Sequence, residues 1–207
     1  MMKLDKNQVC IISDRNEKIP ELGTGFLFLR KDWILTAAHV VMEHGLPRQN
    51  LYIEFVPNVN EKVILNVKVL AEHKECDIAL LQIVDENNPC EFPLYPGHES
   101  LSSHKGLIYC GFESSNGDLR IEITEKFSRN IRIRDHEEVI MEFPSEYVTG
   151  GYSGGPIFGN GGVVIGLMIN QFSDESNTKG NFARATSIKT IMDSILISID
   201  NDRMETF

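Results

Sequence analysis

The sequence predicts an all-β protein with one helix near its C-terminal end. Short apolar runs recur along the chain, clusters of Gly, Pro, Asn and Ser separate them, and only one segment has helical periodicity. The 207 residues are 42% hydrophobic and 24% charged, which is typical of a globular protein and excludes the disordered and fibrous classes. Many short strands at this spacing indicate an antiparallel sandwich or barrel.

The first three strands are predicted at residues 9–12, 26–29 and 33–36, and the last two form a hairpin around the polar turn Arg30-Lys31-Asp32. The same alternation of apolar runs and turn residues continues to residue 185. The remaining strands are predicted at residues 51–56, 63–70, 78–84, 107–110, 120–124, 139–143, 156–158, 163–169 and 182–185. Residues 87–100 are rich in proline and have little pattern, so we interpret them as a linker between two halves.

Apolar residues recur on one face of a predicted helix over residues 187–199. Ser187 is placed to cap its N-terminus. The spacing is that of a helix packed against a core. The residues on this face are Ile188, Ile191, Met192, Ile195, Leu196 and Ile199.

Charge and cysteine content exclude several classes of function. The net charge is −10, whereas a broad phosphate-binding surface needs the opposite balance, so no nucleic-acid partner is expected. No apolar run approaches the ~20 residues of a membrane span, and the N-terminus has no apolar segment of the length that export requires. We therefore expect a cytoplasmic protein with no membrane partner.

The four cysteines lack metal or redox spacing and are predicted to be reduced and mostly buried: Cys10, Cys76, Cys90 and Cys110.

Three short segments carry residues with catalytic potential, in the order His, Asp, Ser. They are Thr36-Ala37-Ala38-His39 at the end of a predicted strand, Cys76-Asp77-Ile78 at the start of another, and Gly150-Gly151-Tyr152-Ser153-Gly154-Gly155-Pro156 in a turn. Each segment alone is more often structural. Together they supply a nucleophile, a base and an acid, because a serine hydroxyl needs a histidine base and the histidine needs a carboxylate to fix its tautomer. Glycines beside the serine let backbone N–H groups converge on an oxyanion.

On these motifs the sequence resembles a trypsin/chymotrypsin-like serine protease. The resemblance implies that His39 is the general base, Asp77 its orienting acid and Ser153 the nucleophile. It also implies an oxyanion hole made by the backbone N–H groups of Gly151 and Ser153. No metal or other cofactor is expected, because the remaining His, Cys and acidic residues fit no ligand spacing.

The same resemblance implies the architecture. The family fold is two antiparallel six-stranded β-barrels followed by a C-terminal helix, with the active site in the cleft between the barrels. We therefore expect residues 1–207 to form one peptidase domain, with an N-terminal barrel at about 1–92, a C-terminal barrel at about 93–186 and the helix at about 187–199.

Three departures from the secreted members of that family bear on disulfides and on activation. Val40 and Thr149 stand where those members often carry disulfide cysteines, and Tyr152 stands where they carry the Asp that pairs with a newly cleaved N-terminus. The chain is more similar to bacterial heat-shock proteases and to intracellular bacterial trypsin-like peptidases. Activation by N-terminal insertion is not expected, and control by a protein partner is left open.

The resemblance also suggests a substrate pocket. No acid stands at the position that would mark a preference for Lys or Arg, so a neutral, small or medium apolar residue is expected before the scissile bond. The pocket is expected to be lined by Tyr147, Ile169, Asn170, Gln171, Gly180 and Phe182. The sequence thus predicts a serine endopeptidase acting on polypeptides. The alternatives are a catalytically latent binding or scaffold module, and an esterase or transferase using the same residues.

Overall fold

The protein is described by a computed structural model, which covers residues 8–16, 21–58, 61–98, 107–112, 119–124, 129–133, 136–144, 151–159, 162–173 and 181–195. Predicted features at other positions lie outside the described residues. Within these ranges the chain is mostly β-structure, as predicted. No helix among them is long and apolar enough to cross a membrane.

Six strands of the N-terminal half close into an antiparallel barrel, in the order β1-β2-β3-β8-β7-β6. Successive side chains of a strand point to opposite faces, and the inner face fills the barrel with fully buried residues such as Ile12, Ile34, Ile53 and Leu81. A two-stranded ribbon, β4 with β5, lies outside the barrel. The bounds in this half are β1 Val9–Asp14, β2 Glu21–Leu27, β3 Trp33–Thr36, α1 Ala38–Val41, β4 Met42–Glu43, β5 Leu46–Pro47, β6 Leu51–Asn58, β7 Glu61–His73 and β8 Ile78–Ile83.

The C-terminal half contains a seven-stranded antiparallel sheet in the order β10-β9-β13-β14-β15-β12-β11. The described pairings leave β10 and β11 at its two edges, so closure of this sheet into a second barrel stays a prediction. The bounds are β9 Leu107–Phe112, β10 Leu119–Thr124, β11 Arg129–Ile133, β12 His136–Pro144, β13 Pro156–Phe158, β14 Val164–Ser173 and β15 Asn181–Ser187.

The prediction of six strands in this half was wrong by one, because β11 was not expected. Its sequence, Arg129 to Ile133, has only two apolar residues, and these alternate with polar and charged ones. That pattern is too short to stand out from a loop. The strand forms because it pairs with β12, for example through Ile131 opposite Ile140.

The C-terminal helix, α2, is described over residues 188–195, and the predicted continuation to 199 lies outside the described residues. The predicted N-cap is confirmed, since the backbone N–H of Thr190 donates to the Ser187 hydroxyl at 3.3 Å. Ile188, Ile191 and Ile195 are buried, each in the same hydrophobic core as the N-terminal barrel. The helix also contacts the N-terminal half directly, because the Ser194 side chain hydrogen-bonds to Cys76.

The predicted linker is hydrogen-bonded to both halves. Leu94 pairs with the end of β2, with its N–H donating to Leu27 at 2.9 Å and its carbonyl accepting from Leu29 at 3.0 Å. Three residues further on, the N–H of Gly97 donates to the carbonyl of Val164 at the start of β14, at 2.7 Å. This segment therefore ties the N-terminal barrel to the C-terminal sheet through backbone hydrogen bonds.

All four cysteines are free and buried, as predicted. Burial raises the pKa of each thiol, that of Cys90 to about 12. The thiols are therefore protonated near neutral pH and poor nucleophiles.

Candidate active site

His39 lies on α1, a helix of one turn that follows β3 directly. The first N–H groups of a helix have no partner within it, and here the loop before β8 supplies partners. The N–H of Ala38 donates to the carbonyl of Asp77 at 3.1 Å, and the N–H of His39 donates to the Asp77 carboxylate at 2.8 Å. This helix was not predicted, because four residues are too few for a periodic signal.

Asp77 ends a 3₁₀ turn formed by Lys74–Cys76 and has left-handed backbone angles, φ 53° and ψ 49°. A non-glycine residue in this region is uncommon and is often held there by its surroundings. Here the N–H of Asp77 donates to Lys74 at 3.2 Å, and its carbonyl accepts from Ala38. The unusual conformation turns the carboxylate toward α1.

The side chains of His39 and Asp77 form the pair that the sequence predicts. Nδ1 of His39 lies 2.6 Å from Oδ2 of Asp77, while Oδ1 accepts the backbone N–H of His39. A carboxylate can only accept, so the neutral imidazole donates its Nδ1–H and keeps a lone pair on Nε2. The Asp77 side chain is 23% exposed and that of His39 47% exposed, so the acid is sheltered and the outer edge of the ring is open.

Ser153 is half-buried in the turn of residues 151–155 that leads into β13. Gly151 and Gly154 have positive φ values, 100° and 88°, which glycine adopts without strain. The loop is tied to β14, since the N–H of Gly154 donates to Met168 at 2.7 Å. The predicted oxyanion donors, the N–H groups of Gly151 and Ser153, lie within this constrained turn.

Thr24 in β2 joins this loop to the N-terminal barrel. Its N–H donates to the carbonyl of Ser153 at 2.8 Å, and its hydroxyl donates to the carbonyl of Gly151 at 2.6 Å. The same hydroxyl accepts the N–H of Phe112 at 2.9 Å. Thr24 is fully buried and was missed as a site residue, although its place in Gly23-Thr24-Gly25 signals a close approach of main chains.

Gly23 brings the serine loop next to the residue that follows His39. A Cβ added at Gly23 would lie 2.9 Å from the carbonyl oxygen of Ser153 and 2.8 Å from Cγ2 of Val40. Only a glycine fits between these two groups. The backbone of the nucleophile candidate and the helix of the base candidate are therefore neighbours, although Val40 and Ser153 are 113 positions apart in the sequence.

Tyr152 anchors the loop on its other side. Its side chain is fully buried and meets Tyr109 edge to face, with ring centroids 6.3 Å apart. Gly111 allows this approach, because a Cβ there would lie 2.8 Å from Cα of Tyr152. The residue before Ser153 is thus held by packing.

Replacing Gly154 with alanine is expected to lower the free energy of unfolding strongly. A Cβ at this position would overlap the carbonyl oxygen of Thr24 and the hydroxyl of Thr36, and overpacking of this kind costs roughly 1–3 kcal/mol or more. Gly45→Ala is the matched control, since Gly45 also has a positive φ but has no atom within 4 Å of an added Cβ. Urea denaturation of both variants measures the difference. Equal losses would show that backbone conformation alone requires glycine at Gly154.

The predicted pocket residues are only partly described. Tyr147 and Gly180 lie outside the described residues. Ile169 is a buried residue of β14 in the hydrophobic core. Asn170 and Gln171 continue β14, which pairs with β15 at Phe172 opposite Phe182. The backbone therefore brings four of the six predicted residues to one pair of strands: Ile169, Asn170, Gln171 and Phe182.

Comparison with known proteins gives a family match. A family model described as a trypsin-like peptidase domain matches residues 23–167, a stretch that includes His39, Asp77 and Ser153. A search of curated proteins finds no significant match.

Solved structures share the fold at low sequence identity. The active form of the Rv3671c protease from M. tuberculosis has a TM-score of 0.71 and 20% identity, over 94% of this chain and 82% of that chain. A serine endoprotease from Yersinia pestis has a TM-score of 0.70 and 17% identity, over 98% and 69%. The MamO protease domain from Magnetospirillum magneticum has a TM-score of 0.67 and 12% identity, over 91% and 96%.

Proposed function

Because the chain belongs to the trypsin-like peptidase family and is a serine peptidase, we propose that it is an endopeptidase that cleaves polypeptides through an acyl-enzyme on Ser153. The observation that carries the proposal is the double contact of Asp77 with His39, through the ring Nδ1 and the backbone N–H. A structural histidine does not need its tautomer fixed from a sheltered carboxylate, whereas a general base does.

In the proposed mechanism, Nε2 of His39 takes the hydroxyl proton of Ser153 as the oxygen attacks the scissile carbonyl. The resulting oxyanion is stabilised by the N–H groups of Gly151 and Ser153. His39 then protonates the leaving amine, and the peptide bond breaks to give the acyl-enzyme. In the second half, His39 takes a proton from water as the water oxygen attacks the acyl ester. His39 then returns that proton to Oγ of Ser153 as the ester bond breaks and the carboxylic acid product leaves. No metal or other cofactor takes part in these steps.

The packing of Tyr152 supports a site that is ordered without cleavage of the chain. In secreted members of the family the residue before the serine is an Asp that pairs with a new N-terminus, whereas Tyr152 is held by Tyr109 and by the close approach of Gly111. Cutting at the N-terminus is therefore not needed to order the loop. An activating protein partner acting elsewhere stays compatible with this packing.

Further features of the proposal concern specificity, architecture and location. The four predicted pocket residues on β14 and β15, Ile169, Asn170, Gln171 and Phe182, are uncharged, which supports a preference for a small or medium apolar residue before the scissile bond. Family membership supports closure of the seven-stranded sheet into a second barrel. The four free cysteines support a reducing, cytoplasmic location.

Cleavage profiling of a denatured proteome tests the proposed activity, with Ser153→Ala as the control. New peptide ends are expected with the wild-type protein only, and aligned cleavage sites are expected to show apolar residues before the cut. If the wild-type protein turns over esters but generates no new peptide ends, an esterase or transferase replaces the endopeptidase. If the wild-type protein cleaves neither peptides nor esters and is not labelled by a covalent serine probe, it is a catalytically latent binding or scaffold module.

A further inference from the structure

Cys76, the residue that precedes Asp77, is held by side chains at both its N–H and its carbonyl. The N–H of Cys76 donates to Nδ1 of His73 at 3.3 Å. The carbonyl of Cys76 accepts the hydroxyl of Thr186 at 2.8 Å. Thr186 is fully buried and Cys76 is 3% exposed, so this second bond is shielded from water and has no solvent substitute.

Thr186 comes from the opposite end of the chain. It is the next-to-last residue of β15, followed by Ser187, which caps α2. The same helix also reaches the turn, since the side chain of Ser194 hydrogen-bonds to the Cys76 thiol. Thr186 and Cys76 are 110 residues apart in the sequence. Through this hydrogen bond, the C-terminal half helps to fix the position of a turn in the N-terminal barrel.

That turn determines where the Asp77 carboxylate lies. The carbonyl of Cys76 belongs to the peptide group that leads into Asp77, whose φ is 53°. Rotation of this peptide would change φ of Asp77 directly and move both carboxylate oxygens away from His39. A left-handed non-glycine residue is held only where its surroundings fix it, and the buried bond from Thr186 is such a constraint.

We infer that Thr186 is a positioning residue for the reaction, in that its hydroxyl holds the Cys76 peptide and thereby keeps Asp77 aligned with His39. The inference rests on the proposed function for its catalytic meaning, but the alignment can be measured without any substrate. The hydrogen bond between His39 Nδ1 and Asp77 Oδ2 has a heavy-atom distance of 2.6 Å. Its proton is therefore expected to give a low-field ¹H NMR resonance.

The test compares Thr186→Val, which replaces the hydroxyl by a methyl group of similar size, with Thr186→Ser, which keeps the hydroxyl. In Thr186→Val the low-field resonance is expected to broaden or shift, and kcat for a peptide substrate is expected to fall by roughly 10- to 100-fold, as for other small misplacements of catalytic groups. KM should change little. Thr186→Ser is expected to keep the resonance and most of kcat.

The outcomes separate the positioning role from a general effect on stability. A lower melting temperature in Thr186→Val with an unchanged resonance and kcat would overturn the inference, as would equal losses in Thr186→Ser. If Thr186→Val does not fold, His73→Leu decides, because His73 is only partly buried and accepts the N–H of the same residue, Cys76. His73→Leu should weaken the resonance and His73→Asn should restore it. An unchanged resonance in His73→Leu would show that the hydrogen bonds to Cys76 do not control the Asp77 carboxylate, and would overturn the inference.

The same measurements distinguish this inference from the proposed function. A resonance that depends on the Thr186 hydroxyl, in a protein that shows no Ser153-dependent cleavage, would support the positioning role and contradict the endopeptidase. Ser153-dependent cleavage that does not respond to Thr186→Val would do the reverse.

Discussion

Ser153→Ala is expected to abolish labelling by a fluorophosphonate probe and to lower kcat for peptide hydrolysis by about 10⁶-fold. The probe reacts only with a serine whose hydroxyl proton is removed by a neighbouring base. An alanine leaves His39 and Asp77 in place but provides no oxygen to attack. The site lies in a loop whose backbone is held by Thr24 and Met168, so removal of one hydroxyl is not expected to unfold the protein.

Gel-based labelling measures the loss of the reactive serine, and the melting temperature measures whether the fold is retained. Ser13→Ala is a suitable control, because Ser13 is a buried serine of β1 in the N-terminal barrel and is not part of the site. It is expected to label like the wild-type protein. Labelling that persists in Ser153→Ala would show that another residue is the nucleophile.

Asp77→Asn is expected to lower kcat by roughly 10⁴-fold while leaving the fold intact. The asparagine amide can donate a hydrogen bond to Nδ1 of His39, which would place the imidazole proton on Nε2. A ring in that tautomer cannot accept the proton of Ser153. The carboxylate oxygen that accepts the His39 backbone N–H can be replaced by the amide oxygen, so the loss is expected in kcat rather than in stability.

Asp32→Asn provides the matched control for this substitution. Asp32 forms a partly exposed ion pair with Arg30, at 2.9 Å, in the turn between β2 and β3. Exposed pairs of this kind contribute about 0.2–1 kcal/mol, and no effect on kcat is expected. Steady-state kinetics measure kcat of Asp77→Asn and of Asp32→Asn. A loss of only a few-fold in Asp77→Asn would mean that Asp77 does not set the tautomer of His39.

Much of the fold could be predicted because its signals are local. Apolar runs such as the predicted strand at residues 33–36 match β3 (Trp33–Thr36) without change, and the Ser187 cap follows from residue type alone. The features that were missed are short or depend on partners. Strand β11 needs β12, and α1 needs the Asp77 loop to satisfy its first N–H groups.

The site residues could be recognised from sequence motifs, but the groups that hold them could not. Thr24 contacts Gly151 across 127 residues and Thr186 contacts Cys76 across 110. Threonine is common in strands, so neither residue stands out in one dimension. Only the folded chain shows that these hydroxyls bond to main-chain carbonyls next to the serine and the acid.

The most direct test is a crystal structure of the protein after reaction with a peptidyl phosphonate. We expect a covalent bond from phosphorus to Oγ of Ser153. We also expect a phosphonyl oxygen about 3 Å from the N–H groups of Gly151 and Ser153, and Nε2 of His39 within hydrogen-bonding distance of the bound group. Phosphorus bound to another residue, or a His39 ring far from the bound group, would contradict it.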